Sequence, residues 1–229
     1  MDVFGNALTD FYKKGKADIL WLHNSYDEPE EMPVDIFFRD FEEMPDLEHK
    51  ALTLCYGKVL DVGAGVGGHA LFLQEAGADV TAIDISADAV KLMQQRGVKK
   101  AVVQDVFETT EKYDTLLLLM NGIGLTGTLA GFIDFLEKAK TLINVNGQLL
   151  FDSSDIAYLY TELLKPENKY YGEVNYCYEY KKQKGNWFNW LYLDQETLIR
   201  TANQNGWECE IVFDDGEDQY LARLTNNKH

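Results

Sequence analysis

Short apolar runs alternate with helix-spaced apolar residues through the middle of the chain. Apolar residues three and four apart predict helices at residues 69–76, 87–96 and 129–143. Strands that alternate with such helices imply right-handed crossovers and a parallel sheet covered on both faces. The pattern predicts a doubly wound α/β domain, with buried strands at residues 58–62, 79–85, 101–104, 113–120 and 147–152.

The last third of the chain changes to strict alternation. Apolar or aromatic residues fill every second position of residues 173–181, and the pattern resumes over residues 188–192. A turn at Lys184-Gly185-Asn186 would join them into an inserted antiparallel hairpin. One face of it is aromatic: Tyr176, Tyr178, Tyr180, Phe188, Trp190 and Tyr192. This face is predicted to line an acceptor pocket, to pair with a second copy of the chain at the sheet edge of a homodimer, or to extend the core.

Other turns and caps complete the predicted elements. Asn146-Gly147 marks a turn before the fifth strand, and Ser86 and Asp194 are predicted helix N-caps. After a helix at residues 195–204, a terminal antiparallel hairpin is predicted from residues 208–214 and 219–224. Residues 1–56 are irregular and hold three of the four prolines, so the sequence predicts helical pieces at 8–14 and 45–55 joined by a mobile segment.

The strongest chemical signal follows the first buried strand and precedes a helix. There the chain reads Asp61-Val-Gly-Ala-Gly-Val-Gly-Gly. Gly63, Gly65 and Gly68 satisfy GxGxxG, in which a helix N-terminus holds a dinucleotide pyrophosphate. A carboxylate two residues before the first glycine would instead repel a pyrophosphate and attract a cationic amino-acid group.

Read as DxGxGxG, with Asp61, Gly63, Gly65 and Gly67, the motif resembles the first motif of class I S-adenosylmethionine (SAM) methyltransferases. The resemblance covers about residues 57–224 and includes the terminal hairpin. It implies a Rossmann-like methyltransferase fold, S-adenosyl-L-methionine as cofactor and transfer of a methyl group to a small-molecule acceptor that the sequence does not identify. The same glycines and Asp84 keep two alternatives open: an NAD(P)-dependent oxidoreductase and a non-catalytic nucleotide-fold binding subunit.

The resemblance also implies which residues bind the cofactor. Asp84, at the second strand end and followed by Ile85, would accept hydrogen bonds from ribose hydroxyls. Asp105 and Val106, after the third strand, would contact the adenine. Asn121 would line the methionine arm, orient the acceptor or structure its loop.

Residues 1–56 are expected to act as an N-terminal lid or cap, and residues 57–229 as the SAM-binding domain with its inserted hairpin at about 170–193. Residues 37–48 resemble a region that covers the cofactor in small-molecule members of the family, and Arg39 would there bind the cofactor carboxylate or an acidic neighbour. Tyr12, Trp21 and Tyr26 would close the pocket or simply pack. The histidines are unconvincing as bases, and the catalytic residues stay unassigned.

The charge and the cysteine content limit the classes of partner that the protein is expected to bind. Lys and Arg number 21 against 38 Asp and Glu, for a formal net charge of −17, which disfavours nucleic acid and anionic membranes. Three widely spaced cysteines offer neither a disulfide framework nor a metal knuckle, so no metal is expected. The longest purely aliphatic run, residues 116–120, is too short to span a bilayer, and no leader pattern opens the sequence. We expect a cytoplasmic protein.

Overall fold

The structure, a computed structural model, describes residues 2–160 and 165–226. Its α-helices are α1 (Val3–Lys14), α2 (Asp46–Leu54), α3 (Gly68–Glu75), α4 (Ala87–Arg96), α5 (Leu129–Leu142) and α6 (Gln195–Gln204). Its strands are β1 (Leu20–Asn24), β2 (Glu30–Met32), β3 (Lys58–Val62), β4 (Asp79–Asp84), β5 (Ala101–Val103), β6 (Tyr113–Leu118), β7 (Ile143–Ser154), β8 (Glu173–Tyr180), β9 (Gln183–Lys184), β10 (Phe188–Leu191), β11 (Glu208–Asp214) and β12 (Gln219–Thr225).

Seven strands form the large sheet, in the order β11-β12-β7-β6-β3-β4-β5. The five strands from β7 to β5 run parallel, and β12 and β11 add an antiparallel hairpin at one edge. The order reverses direction between β3 and β6, the topological switch point at which α/β sheets bind ligands. The predicted doubly wound, mostly parallel fold with its terminal hairpin is confirmed.

Both faces of the large sheet are buried, as the apolar run in β6 predicts. Leu116 and Leu118 pack in the cluster that contains α5 and α6. Leu117 and Leu119 pack in the cluster that contains residues of α2, α3 and α4. Because side chains alternate across a strand, a strand covered on both faces needs apolar residues at successive positions.

The remaining strands form a small antiparallel sheet, in the order β10-β8-β1-β2, with β9 also paired to β8. Leu22 in β1 lies opposite Tyr178 in β8, and Phe188 in β10 lies opposite Tyr176. The N-terminal region therefore contains two strands where the sequence predicted a mobile segment between helical pieces. Isolated strands this short are not stable, and β1 forms because β8, more than 150 residues later, supplies its hydrogen-bond partners.

Two predicted turns differ from the structure. The hairpin turn lies at Lys181 and Lys182, with φ of +50° and +64°, and not at Lys184-Gly185-Asn186. Lys184 instead pairs back on β8. Asn146 (φ +65°) lies inside β7, where the register with β6 shifts, so the expected turn is an irregularity that the strand absorbs.

The two predicted helix N-caps are confirmed. The Ser86 hydroxyl accepts from the Ala89 amide at 2.9 Å, and the Asp194 carboxylate accepts from the Thr197 amide at 2.8 Å, so both residues cap their helices. These hydrogen bonds join residues three apart in the chain, which is why the sequence suffices to predict them.

Candidate active site

The carboxyl ends of the central strands bring four polar residues to one edge of the large sheet. Asp61 lies in β3, Asp84 ends β4, Asn121 follows β6 and Asp152 lies near the end of β7. This edge is where open α/β sheets bind their ligands.

The glycine turn between β3 and α3 leaves room for a ligand. A Cβ atom built on Gly63 or Gly65 would meet no other atom within 4 Å. Gly65 also has φ of +57°, a conformation that side-chain-bearing residues rarely adopt. A Cβ on Gly67, in contrast, would lie 2.8 Å from Val98, so Gly67 allows α3 to pack closely on its neighbours.

Asp61 is a buried carboxylate beside this turn. It is 2% exposed, and its Oδ2 atom has no hydrogen-bond partner among the described residues. Burial raises its pKa to about 6. An unpartnered buried carboxylate oxygen is costly, and a cationic donor placed against it would relieve that cost.

Asp84 has a different environment. Its two carboxylate oxygens accept from the amides of Gly65 at 2.9 Å and Ser86 at 2.8 Å, while burial raises its pKa. Asp84 therefore orients the glycine turn and keeps further acceptor capacity for hydroxyl groups. The adjacent Ile85 is 78% exposed, an apolar surface next to the site.

Asp105 and Val106 follow β5. The Asp105 side chain accepts from the Phe107 amide at 2.9 Å and caps a short 3-10 helix over Val106–Glu108. The Val106 side chain is 4% exposed and packs in the core cluster that contains α5. The side chain of Asp105 is thus at the surface and that of Val106 faces inward.

Asn121 is held by a residue that the sequence analysis missed. Its backbone amide donates to both oxygens of Asp152 at 2.9 Å, and its side-chain oxygen accepts from the Ser154 hydroxyl at 3.0 Å. These bonds hold Asn121 at a left-handed φ of +54°. Asp152 is 1% exposed, and burial raises its pKa to about 6. The strand-end rule that identified Asp61 and Asp84 would also have found Asp152.

Arg39, Glu48 and His69 form a buried charged cluster beside the glycine turn. Arg39 Nη2 and His69 Nε2 each lie 2.7 Å from one oxygen of Glu48. Burial opposes ionisation of Glu48, but contacts with His69 and Arg39 outweigh it and lower its pKa. Burial likewise opposes charge on His69, and Glu48 and Asp61 together raise its pKa. Arg39 therefore pairs with an acidic neighbour, and its buried Nε lacks a partner among the described residues.

The aromatic face of the small sheet lies over this edge of the large sheet. A Cβ on Gly124, in the loop after Asn121, would lie 2.1 Å from the Trp190 ring, so this ring packs directly on the Gly124 backbone. Tyr178 is near enough to Asp84 for that carboxylate to raise its pKa, in addition to the effect of burial. Tyr26 hydrogen-bonds within this face, whereas Trp21 is partly exposed on the opposite face of β1.

The described residues contain neither a membrane-spanning helix nor a cluster of metal-binding side chains. No helix within residues 2–160 and 165–226 is both long and apolar enough to cross a bilayer. In the same ranges, no three His, Cys, Asp or Glu side chains converge in a way that could hold a metal ion.

Comparisons with known proteins identify the family. A family model described as a methyltransferase domain matches residues 59–126, which include the glycine turn and the carboxyl ends of β3, β4, β5 and β6. The crystal structure of a SAM-dependent methyltransferase from Bacteroides fragilis, in complex with S-adenosyl-L-homocysteine, is 43% identical, with a TM-score of 0.91; the match covers 98% of this chain and 94% of that one. No curated protein matches the sequence significantly.

More distant structures share the fold. The sugar N-methyltransferase KedS8 from Streptoalloteichus sp ATCC 53650 is 14% identical, with a TM-score of 0.60 over 90% of this chain and 97% of that one. The CcbJ methyltransferase from Streptomyces caelestis is also 14% identical, with a TM-score of 0.62 over 86% of this chain and 100% of that one.

The site itself fits SAM. The open space at Gly63 and Gly65 and the unpartnered Asp61 oxygen suit a ligand that carries an ammonium group. Neither the oxidoreductase nor the non-catalytic alternative is needed to explain these features. The chain therefore belongs to the family of S-adenosylmethionine-dependent methyltransferases.

Proposed function

We propose that the enzyme methylates a small molecule bound between the small sheet and the carboxyl edge of the large sheet. The contact of Trp190 with Gly124 carries this proposal, because it closes the small sheet over the edge and restricts the acceptor to what fits beneath it. The net charge of −17 and the acidic site residues disfavour a nucleic-acid acceptor. Among proteins of the same fold, the sugar N-methyltransferase KedS8 agrees with a small acceptor.

For the cofactor, we propose that Asp61 binds the ammonium group and Asp84 the ribose hydroxyls. Gly63 and Gly65 would line the space between them, with Gly67 supporting the turn by close packing. Asp61 has the unpartnered oxygen that this role requires, and Asp84 lies on the next strand at the same edge.

Five further residues complete the proposed cofactor site. The exposed Ile85 would pack on the nucleoside, with Asp105 accepting from the adenine amino group and Val106 shaping the wall behind it. Asn121, oriented by Asp152, would line the methionine arm. Arg39 would reach the cofactor carboxylate with the part of its guanidinium that Glu48 does not engage.

Bound SAM supplies an electrophilic methyl group on a sulfonium. The residues of the chain therefore need mainly to align the acceptor and exclude water, with little covalent assistance. We propose that residues 1–56 act as a cap and residues 57–229 as the catalytic domain. The cap contributes β1 and β2 to the small sheet and Glu48 to the charged cluster. The homodimer and the cytoplasmic location stay predictions.

The acceptor class can be tested with SAM carrying a ¹³C-labelled methyl group. The enzyme is incubated with a cell extract divided into a small-molecule and a macromolecular fraction, and ¹³C NMR follows the label. We expect labelled methyl signals in the small-molecule fraction, and weaker signals at the same SAM concentration with D61N, which should bind SAM less tightly. The matched control D134N, an exposed acid on α5, should behave as wild type. Label confined to protein or nucleic acid would contradict the proposal.

A further inference from the structure

Three tyrosine hydroxyls form a continuous hydrogen-bonded chain on the inner face of the small sheet. The oxygens of Tyr26 and Tyr176 lie 3.2 Å apart, as do those of Tyr176 and Tyr192. At one end, Tyr26 donates to Glu30 Oε1 at 3.2 Å. Tyr176 is buried and Glu30 is exposed, so the chain runs from the protein interior towards the surface.

Glu30 sets the direction of every hydrogen bond in this chain. A carboxylate only accepts, so the single proton of the Tyr26 hydroxyl points at Glu30. Tyr26 must then accept from Tyr176, and Tyr176 in turn must accept from Tyr192. Burial raises the pKa of all three tyrosines, which keeps each hydroxyl protonated.

The Tyr192 oxygen is therefore the open end of the chain. Its proton is used towards Tyr176, and no group in residues 2–160 and 165–226 donates a hydrogen bond to it. A ligand at this position can be bound only as a hydrogen-bond donor. A group that only accepts hydrogen bonds, such as a carboxylate, would be repelled by the lone pairs of the Tyr192 oxygen.

This open end belongs to the proposed acceptor site. Tyr178, Trp190 and Tyr192 all pack against the buried cluster that contains Tyr176, so the tyrosine chain and Trp190 belong to one aromatic face. Trp190, two residues from Tyr192, contacts the loop after Asn121 through Gly124.

The charges around the tyrosine chain favour one class of hydrogen-bond donor over another. Within the described residues, no hydrogen bond or ion pair of Tyr26, Tyr176, Tyr192 or Glu30 involves a lysine or arginine. Glu30 attracts a cation, as does the aromatic ring of Trp190, which packs against the same cluster as Tyr192. A protonated amine can donate a hydrogen bond to Tyr192 and is also attracted by Glu30 and Trp190. A neutral alcohol can only donate the hydrogen bond.

We propose that the methyl acceptor is an amine, with one N–H donating to Tyr192 Oη, and that Tyr192 is the specificity-determining residue. This inference rests on the proposed small-molecule function. After the amine has released its ammonium proton to water, its lone pair forms the N–C bond and the C–S bond breaks with its electron pair remaining on sulfur. The surplus proton on the product nitrogen then also passes to water. The N–H bond to Tyr192 holds the amine while its lone pair faces the methyl group.

The test uses three probes of one shape: benzylamine, benzyl alcohol and benzoate, each titrated by NMR into enzyme loaded with S-adenosyl-L-homocysteine. We expect benzylamine to bind about tenfold more tightly than benzyl alcohol, as for a charge-assisted hydrogen bond, and benzoate to bind most weakly. Y192F should lose most of this preference. Tyr56 is exposed just before β3, at the end of that strand opposite Asp61, and provides the matched control; Y56F should retain the preference.

Y176F separates recognition from packing. It keeps the Tyr192 hydroxyl but removes its acceptor, so Tyr192 becomes free to donate and benzoate should gain affinity relative to wild type. A purely structural role of the rings would not reverse the probe order. Equal binding of benzoate and benzylamine, an unchanged preference in Y192F, or no benzylamine binding would each overturn the proposal. A ¹³C-labelled small-molecule product that carries the methyl group on oxygen or carbon would overturn it while leaving the proposed function intact.

Discussion

His69 Nε2 lies 2.7 Å from Glu48 Oε2, which joins the first turn of α3, directly after the glycines, to α2 in the N-terminal segment. The other oxygen of Glu48 holds Arg39 at the same distance. One buried carboxylate thus bridges two cationic groups from two parts of the chain. The position of the glycine turn is consequently coupled to that of the proposed cap.

Glu48→Gln should destabilise the protein by about 2 kcal/mol near pH 6, a value reduced from that of a fully buried pair because Arg39 is partly exposed. The substitution leaves both cations without a counter-charge. Chemical denaturation of wild type and E48Q measures the difference, with Glu43→Gln, an exposed neighbour, as control. A loss no greater than that of E43Q would mean that the cluster adds no stability.

The loss of unfolding free energy in E48Q should become smaller both at higher and at lower pH. The pKa of His69 is raised in the folded protein, so its contribution is complete below its ordinary value of 6.5 and is lost as pH rises through the folded pKa. The pKa of Glu48 is lowered, so its contribution is complete above its ordinary value of 4.5 and is lost as pH falls through the folded pKa. The difference in unfolding free energy should therefore be greatest between pH 4.5 and 6.5; a flat profile would contradict this.

Asp61→Asn should stabilise the free enzyme and weaken its ligand binding. Removing a buried, unpartnered charge recovers at most about 3 kcal/mol at pH 7, from the pKa raised to about 6. Loss of the proposed contact with the ammonium group should weaken S-adenosyl-L-homocysteine binding by about 1.5–3 kcal/mol. Denaturation and calorimetric titration measure the two effects. D134N should change neither, and tighter binding by D61N would remove Asp61 from the ammonium site.

The stabilisation in D61N should vanish in acid. The folded pKa of Asp61 is raised, so between about pH 4 and 6 the folded protein binds more protons than the unfolded chain, and wild type loses stability as pH rises. D61N lacks this titration. The difference between the two proteins should grow from near zero at pH 4 to its full value above pH 6. Equal differences at pH 4 and pH 7 would indicate that Asp61 is not protonated in this range.

Asp84→Asn tests the proposed ribose contact. We expect S-adenosyl-L-homocysteine affinity to fall by about 1.5–3 kcal/mol, because a charged acceptor becomes a neutral one. Asp79 begins the strand that Asp84 ends and is half exposed, so D79N is the matched control and should bind as wild type. Calorimetric titration gives both affinities, and equal values for D84N and D79N would argue against a ribose role.

The parts of the site that could be predicted are encoded over short distances. Asp61 and its glycines lie within eight residues, and Asp84 ends a strand whose apolar pattern is clear. Asp152 obeys the same strand-end rule, but the sequence analysis did not identify it because no glycine turn follows it. The Arg39–Glu48–His69 cluster gave no local signal, since its members come together only when α2 packs beside α3.

Local sequence patterns alone determined the large parallel sheet, its helices and the acid-glycine turn, because strand burial, helix capping and turn conformation depend on neighbouring residues. Only the tertiary structure decided the small sheet. Its strand β1 pairs with β8 across more than 150 residues, and no periodicity within five residues can specify so distant a partner. The same long-range pairing places Tyr26 against Tyr176 and so builds the tyrosine chain, whose direction depends on Glu30 from a third strand.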